Sequence, residues 1–165
     1  MISTKLQQYL DESGVRYTRR SHRTAYTALE VAESLHIPGR EFVKSVMLKA
    51  DNEALIMAVL SATETVNLDI LHEQIGCGVL RLATEDEFSD SFPTCKPGAI
   101  PPFGNLFGIP VYCEATLAES REIEFNAGAY DETIRIAFAE YRRLVHPMIL
   151  HFAQSYSEGV QRLAA

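Results

Sequence analysis

From position 40 to position 60 the chain reads REFVKSVMLKADNEALIMAVL, two apolar runs separated by Ala50, Asp51, Asn52 and Glu53. Turn-forming types between two such runs predict a β-hairpin. Side chains alternate along a strand, so Lys44 shares its face with Val46 and Leu48, while Val43, Ser45, Met47 and Lys49 take the other. One lysine therefore occupies a register that otherwise looks inward. Two readings of it stand open: an amine in a pocket, where a partner or ligand compensates for lost hydration, or a lysine near the strand's start whose stem snorkels to water. Lys49, beside the turn, is expected to be solvated.

The same reading extends to either side of the hairpin. Leu6, Tyr9 and Leu10 recur at helical spacing within residues 3–13, and Gly14 is placed to stop that helix. Residues 15–20 alternate like a short strand. Thr27 and Glu30 form a T-x-x-E capping box, opening a helix that runs to about His36 before Pro38 and Gly39 turn the chain. SATETVN, residues 61–67, reads as a loop whose Asn67 caps a helix carrying Leu68, Ile70, Leu71 and Ile75, ended by Gly76. Residues 79–82 predict a short strand, and Thr84 with Glu87 a second capping box and a brief acidic helix stopped by Pro93.

CKPGAIPPFGNLFGIP follows, with Pro97, Pro101, Pro102 and Pro110 interleaved with Gly98, Gly104 and Gly108. That density excludes a regular element and predicts a shaped loop, either a site or a tight crossover between strands. Residues 111–114, 122–125 and 133–138 read as strands, the last two separated by the loop NAGAYDE, in which Gly128 takes a positive φ. Residues 139–145 and 148–163 have helical composition, interrupted at Pro147. The last helix has two possible seats, this domain or a second copy, so both monomer and homodimer stay open. There is no internal repeat and no domain boundary, which makes residues 1–165 one domain.

Composition narrows the function classes. The 165 residues, 47% of them hydrophobic, support a sizeable core. No apolar run is long enough for a bilayer, and MISTKLQQYLDES lacks the basic start and apolar middle of a secretory signal, so a soluble cytoplasmic protein is expected, with no membrane partner. Cys77, Cys95 and Cys113 form no CxxC, and the five histidines form no HExxH; neither a metal nor a cofactor is predicted. A net charge of -7 opposes broad attraction to nucleic acid and argues against DNA as a partner. The dense basic segment, with Arg16, Arg19, Arg20, His22 and Arg23, is either a solvated strand and loop or a local phosphate contact.

Four passages, SHRTAYTALEVAESL, PGREFVKSVMLKAD, KPGAIPPFG and EFNAGAYDETIRIAF, span residues 20–138 in an order and spacing that resemble the YbaK/ProX family of aminoacyl-tRNA deacylases, editing domains related to those in some prolyl-tRNA synthetases. The resemblance implies a compact α+β domain, a mixed, strongly curved, barrel-like sheet flanked by helices, and a pocket for the aminoacylated end of tRNA. It implies that Lys44, matching the family's hallmark lysine, holds the terminal adenosine region and the ester, and that Gly98, in a GxxxP-like loop with Pro102, offers its backbone to the reacting centre. Ser45, His22, Tyr130, Gly128 and Pro102 follow as substrate-binding residues, and Arg19, Arg20 and Arg23 as tRNA phosphate contacts. Alanine-specific members carry asparagine after the lysine and a Gly-Ser-His-like loop, where this chain has Ser45 and then Gly128, Ala129 and Tyr130.

Such chemistry needs no catalytic triad. An aminoacyl ester is already activated, and placement plus one donor aimed at the developing oxyanion is worth about 10²- to 10³-fold in rate. Excluding larger amino acids is easier than rejecting smaller ones, so the expected substrates are misacylated tRNAs bearing alanine, serine, cysteine or threonine, with an aminoacyl-tRNA synthetase as a further partner. The competing reading is a non-catalytic module that binds tRNA ends, a nucleotide or a synthetase.

Overall fold

The computed structural model describes residues 2–156. After helix α1 (Thr4–Glu12) and strand β1 (Tyr17–Ser21) comes α2 (Ala28–Ser34), whose capping box is complete: Thr27 Oγ1 accepts from Glu30 N–H, and the Glu30 carboxylate accepts from Thr27 N–H. The hairpin of β2 (Phe42–Ala50) and β3 (Leu55–Ser61) turns where expected and pairs Lys44 with Leu60. β4 (Glu64–Val66), α3 (Leu68–Ile75), β5 (Leu80–Leu82) and α4 (Glu85–Phe88) follow. Asn67 caps α3 through Ile70 N–H, and Gly76 ends it in the left-handed region. β6 (Val111–Glu114), β7 (Glu122–Ala129), β8 (Glu132–Ala137), α5 (Phe138–Val145), β9 (Met148–Leu150) and β10 (Ala153–Ser155) complete the order.

Eight strands form one mixed sheet in the order β1-β8-β7-β2-β3-β6-β9, with β5 added to β2, and β10 pairs with β4 separately. The sheet curls around a main core in which Val43, Met57, Val59, Phe103, Phe125, Ile134 and Tyr141 are buried with Leu6 and Leu10 of α1. Two smaller clusters cover its outer face: α2 seats Val31 and Ala32 on Phe42, and Leu71 of α3 packs with Leu48, Leu60 and Phe152. The expected α+β class holds. The barrel likeness stops short of closure, because β1 and β9 are the ends of the path among the described residues.

Four expectations are corrected. SATETVN is not wholly loop, since Glu64–Val66 pairs with Ser155–Ala153 as strand. The proline-glycine passage includes a 3-10 turn, Gly104–Phe107. NAGAYDE is mostly strand: β7 runs on to Ala129, and a bulge between Asn126 and Ala129 absorbs Gly128 at φ +99°. The helix expected over 148–163 is absent from its first half, where β9 and β10 stand instead; its remainder, from 157, lies outside the described residues. Composition favoured a helix there, but the open edges of β6 and β4 offered backbone partners that composition does not record.

Candidate active site

β2 and β7 run parallel and pair at Phe42↔Glu124 and Val43↔Phe125. Val43, Met47, Phe125 and Ala127 face the main core, so Lys44, Glu124 and Asn126 look the other way, toward the side that α2 covers. The register carried one step further sets Lys44 alongside Asn126. There the ladder ends: Gly128 N–H donates to Ala99 C=O, and Gly128 C=O accepts from Lys96 N–H. The proline-glycine loop thus takes the place beside β7 that the next residues of β2 would hold. Between the pairing with β7, which stops at Val43, and that with β5, which starts at Leu48, β2 has a strand on its β3 side only. Lys44 and the Gly98 loop therefore border one slit.

Lys44 is half-buried, with no ion pair or hydrogen bond among the described residues. Burial lowers its pKa from the ordinary lysine value, and the charge of Glu64 opposes that shift. Burial raises the Glu64 pKa, nearby Glu114 adds to this, and Lys44 counters it. The Lys44 amine thus loses hydration without gaining an ion pair among the described residues. Gly98, at φ +78°, is exposed, and its N–H has no acceptor among the described residues. A Cβ there would stand 3.6 Å from Tyr26 C=O, so the turn that carries Tyr26 adjoins the loop.

The outer floor of β7 and β8 is polar and buried. Thr133 Oγ1 donates to Glu124 Oε1 at 2.6 Å, and Arg20 lies 3.6 Å from Glu124 Oε2. Asn126 is 6% exposed, and among the described residues its Oδ1 has no partner; neither have the buried His22 Nε2 and Ser45 Oγ. A buried unpartnered polar atom costs about 1–3 kcal/mol unless something binds it. Asn126 was missed by sequence reasoning because it fell in a passage read as loop. The signal was present: Phe125, Ala127 and Ala129 alternate with Asn126 and Gly128 as along a strand.

The other predicted residues divide. His22 stays at the floor's rim, its Nδ1 2.6 Å from Arg23 C=O. Tyr130 is a strut: its hydroxyl donates to Pro97 C=O at 2.6 Å, and its ring meets Tyr26 edge-on at 5.0 Å. Gly128 spends its backbone on the loop. Pro102 is buried away from the slit, its carbonyl accepting from the core hydroxyl of Tyr141. Ser45 is not turned toward Lys44, since β2 carries no bulge and Ser45 keeps the core-side register. Arg19 pairs with Glu132 at 2.9 Å and Arg20 with Glu124, which leaves Arg23 exposed without an ion pair among the described residues. Tyr26, 67% exposed beside Gly98, was also missed, because a tyrosine before a capping box carries no pattern of its own.

Residues 22–144 match the model of the aminoacyl-tRNA editing domain, a stretch that holds Lys44, Gly98 and Asn126 together. The chain belongs to the aminoacyl-tRNA editing domain family. Over 101 residues this editing domain is 32% identical to the multifunctional Ser/Thr-tRNA deacylase ProXp-y of Escherichia coli K12, a match covering 61% of this chain and 60% of that protein. The chain thus spans less than two thirds of that relative's length. Among solved structures, a hypothetical protein superposes with a TM-score of 0.83 at 16% identity, over 91% of this chain and 99% of that one. A candidate trans-editing enzyme for prolyl-tRNA synthetase superposes with a TM-score of 0.76 at 20% identity, over 93% and 97%. At those identities the likeness speaks for the fold. Among the described residues no helix of this editing domain is long and apolar enough to cross a membrane, and no cluster fit to hold a metal occurs.

Proposed function

We propose that this editing domain hydrolyses the ester of misacylated tRNA in the cytoplasm, acting on the aminoacylated acceptor end, and that its substrates within the small amino-acid class are serine and threonine. One observation carries the reading: a half-buried amine without an ion pair borders the same slit as an exposed glycine N–H. Lys44 binds the phosphate or ribose oxygens of the terminal nucleotide and holds the ester in place. The Gly98 N–H serves the carbonyl oxygen as water adds to the carbonyl carbon; the ribose oxygen then leaves with a proton, giving free amino acid and tRNA. Neither group is a general base. A ribose hydroxyl next to the ester takes that part.

The choice of serine and threonine rests on the relative's activity and on Asn126. Its unpartnered Oδ1 accepts a hydrogen bond from a side-chain hydroxyl, and a site built around such a bond rejects an analogue lacking it far better than an apolar pocket rejects a methylene. A synthetase remains a partner through which the tRNA is delivered. The test is a panel of tRNAs charged with serine, threonine, alanine and cysteine, incubated with the protein and with Lys44→Ala. Release of serine and threonine, lost in the variant, is expected. If no ester in the panel is cleaved while tRNA is bound, the domain is a binding module and the reading falls.

A further inference from the structure

A second opening lies beside the start of β2. It is a cavity of 380 Å³ between the residues that lead into β2 (Arg40 and Glu41), the end of β3 (Ser61), Glu64 of β4, and the turn that joins β6 to β7 (from Thr116 to Arg121). That volume falls in the range of small-ligand sites, about 300–1,000 Å³. None of the residues predicted from sequence lines it. Glu64 links it to Lys44, since the two charges act on each other. Along extended chain, Glu41 and Lys44 stand roughly 10 Å apart.

The lining has a distinctive charge pattern. Arg40 and Arg121 are exposed at the rim, and neither guanidinium has an ion pair or hydrogen bond among the described residues. Arg19, Arg81, Arg135 and Arg143, by contrast, each hold a glutamate at 2.9 Å or less. Deeper in, Glu41 and Glu64 are partly buried, and Glu119 stands at the rim. With these carboxylates opposing the two arginines, a bare anion gains little. A ligand with an anionic end and a hydrogen-bond-donating end matches both sets of groups. A nucleotide has that form, and the exocyclic amine of cytosine is the base donor that a carboxylate accepts.

We propose that this cleft seats a cytidine nucleotide of the RNA strand leading to the ester, with its phosphate between Arg40 and Arg121 and its amine on Glu41 and Glu64. This rests on the reading of Lys44 as the ester site, because the cleft then receives the nucleotide next to the terminal one. Rim arginines position the strand through phosphate, and the inner carboxylates read the base.

The test is read on uncharged RNA, where there is no ester to cleave. Anisotropy of labelled single strands ending in CCA or in UUA is followed across a salt series. The protein is expected to bind CCA more tightly than UUA. Arg40→Ala combined with Arg121→Ala should weaken both strands by about tenfold and reduce the salt slope by about 0.7, the loss of one single-strand phosphate contact. Glu41→Gln combined with Glu64→Gln should erase the preference for CCA while keeping the salt slope. Both arginine side chains are exposed, so these variants fold. Unchanged affinity and slope in the arginine variant overturn the proposal even where misacylated tRNA is still hydrolysed. The expected binding pattern without hydrolysis of any ester upholds the cleft and defeats the deacylase reading.

Discussion

An ammonium group held half out of water without an ion pair costs the fold something, and Lys44 is such a group. Its pKa in the folded chain lies below the ordinary 10.5, so the folded state binds that proton less tightly than the unfolded state does. The sign follows. The cost is fully present below the lowered folded value and is relieved as pH rises from there to 10.5. Lys44→Met is therefore expected to raise the unfolding temperature at neutral pH while removing most deacylation, a trade of activity for stability. In the unsubstituted protein the Lys44-dependent rate, taken as the difference from the Met variant, should decline with rising pH earlier than a solvated lysine would dictate. Thermal unfolding and a pH–rate profile check both; a Met variant that is less stable and equally active would remove Lys44 from the site. This residue was legible because a charge interrupts an apolar register in a strand of unmistakable alternation. Asn126 and Glu124 were not, since only the pairing of β2 with β7 shows that they lie on the face of Lys44.

At the scale of elements, the slit exists because a loop replaces a strand. The proline-glycine passage is fastened to Gly128 by two backbone hydrogen bonds and to Tyr130 by a phenol, so its position depends on residues about thirty places further along the chain. Both were expected from sequence as substrate-binding residues, and in the structure both hold the loop: local pattern identifies an unusual glycine or an aromatic, while what it touches is set by tertiary pairing. Tyr130→Phe is the clean test, because it keeps the ring against Tyr26 and deletes only the bond to Pro97. Losing one such bond is worth about 1 kcal/mol, or roughly fivefold in rate if the Gly98 loop must be held in place. A fall of that order in kcat, with unfolding temperature nearly unchanged, is expected in single-turnover deacylation. A change confined to KM would make Tyr130 a substrate contact instead. Gly128 is less forgiving, since a Cβ at φ +99° would meet Ser3 Cβ at 3.1 Å.

At the scale of the whole molecule, the helices and the hairpin were readable from local signals, whereas the course of the chain after Pro147 was not. Glu114 explains why. It is 2% exposed at the end of β6, and its Oε2 accepts from Phe152 N–H and Ala153 N–H, each at 2.7 Å, while Oε1 lies 3.1 Å from His151 Nδ1. One buried carboxylate thus turns the chain between β9 and β10 and lays β10 on β4, the strand that carries Glu64. A glutamate in a short strand carries no sign in sequence that it will serve as the anchor for a segment nearly forty residues away. Glu114→Ala leaves a buried N–H (Phe152) and a part-buried one (Ala153) without their acceptor, at up to about 1–3 kcal/mol each, whereas Glu114→Gln keeps one carbonyl oxygen for them. The alanine variant is therefore expected to be destabilised by about 2–5 kcal/mol and the glutamine variant by less. In both, amide exchange should quicken first in β9, β10 and β4, with β7 and β8 still protected. Because β4 holds Glu64 against Lys44, the same variants should also slow deacylation, and more so for alanine. Uniform exchange across the sheet would instead mean that Glu114 supports the main core, and that its hold on the last strands is incidental.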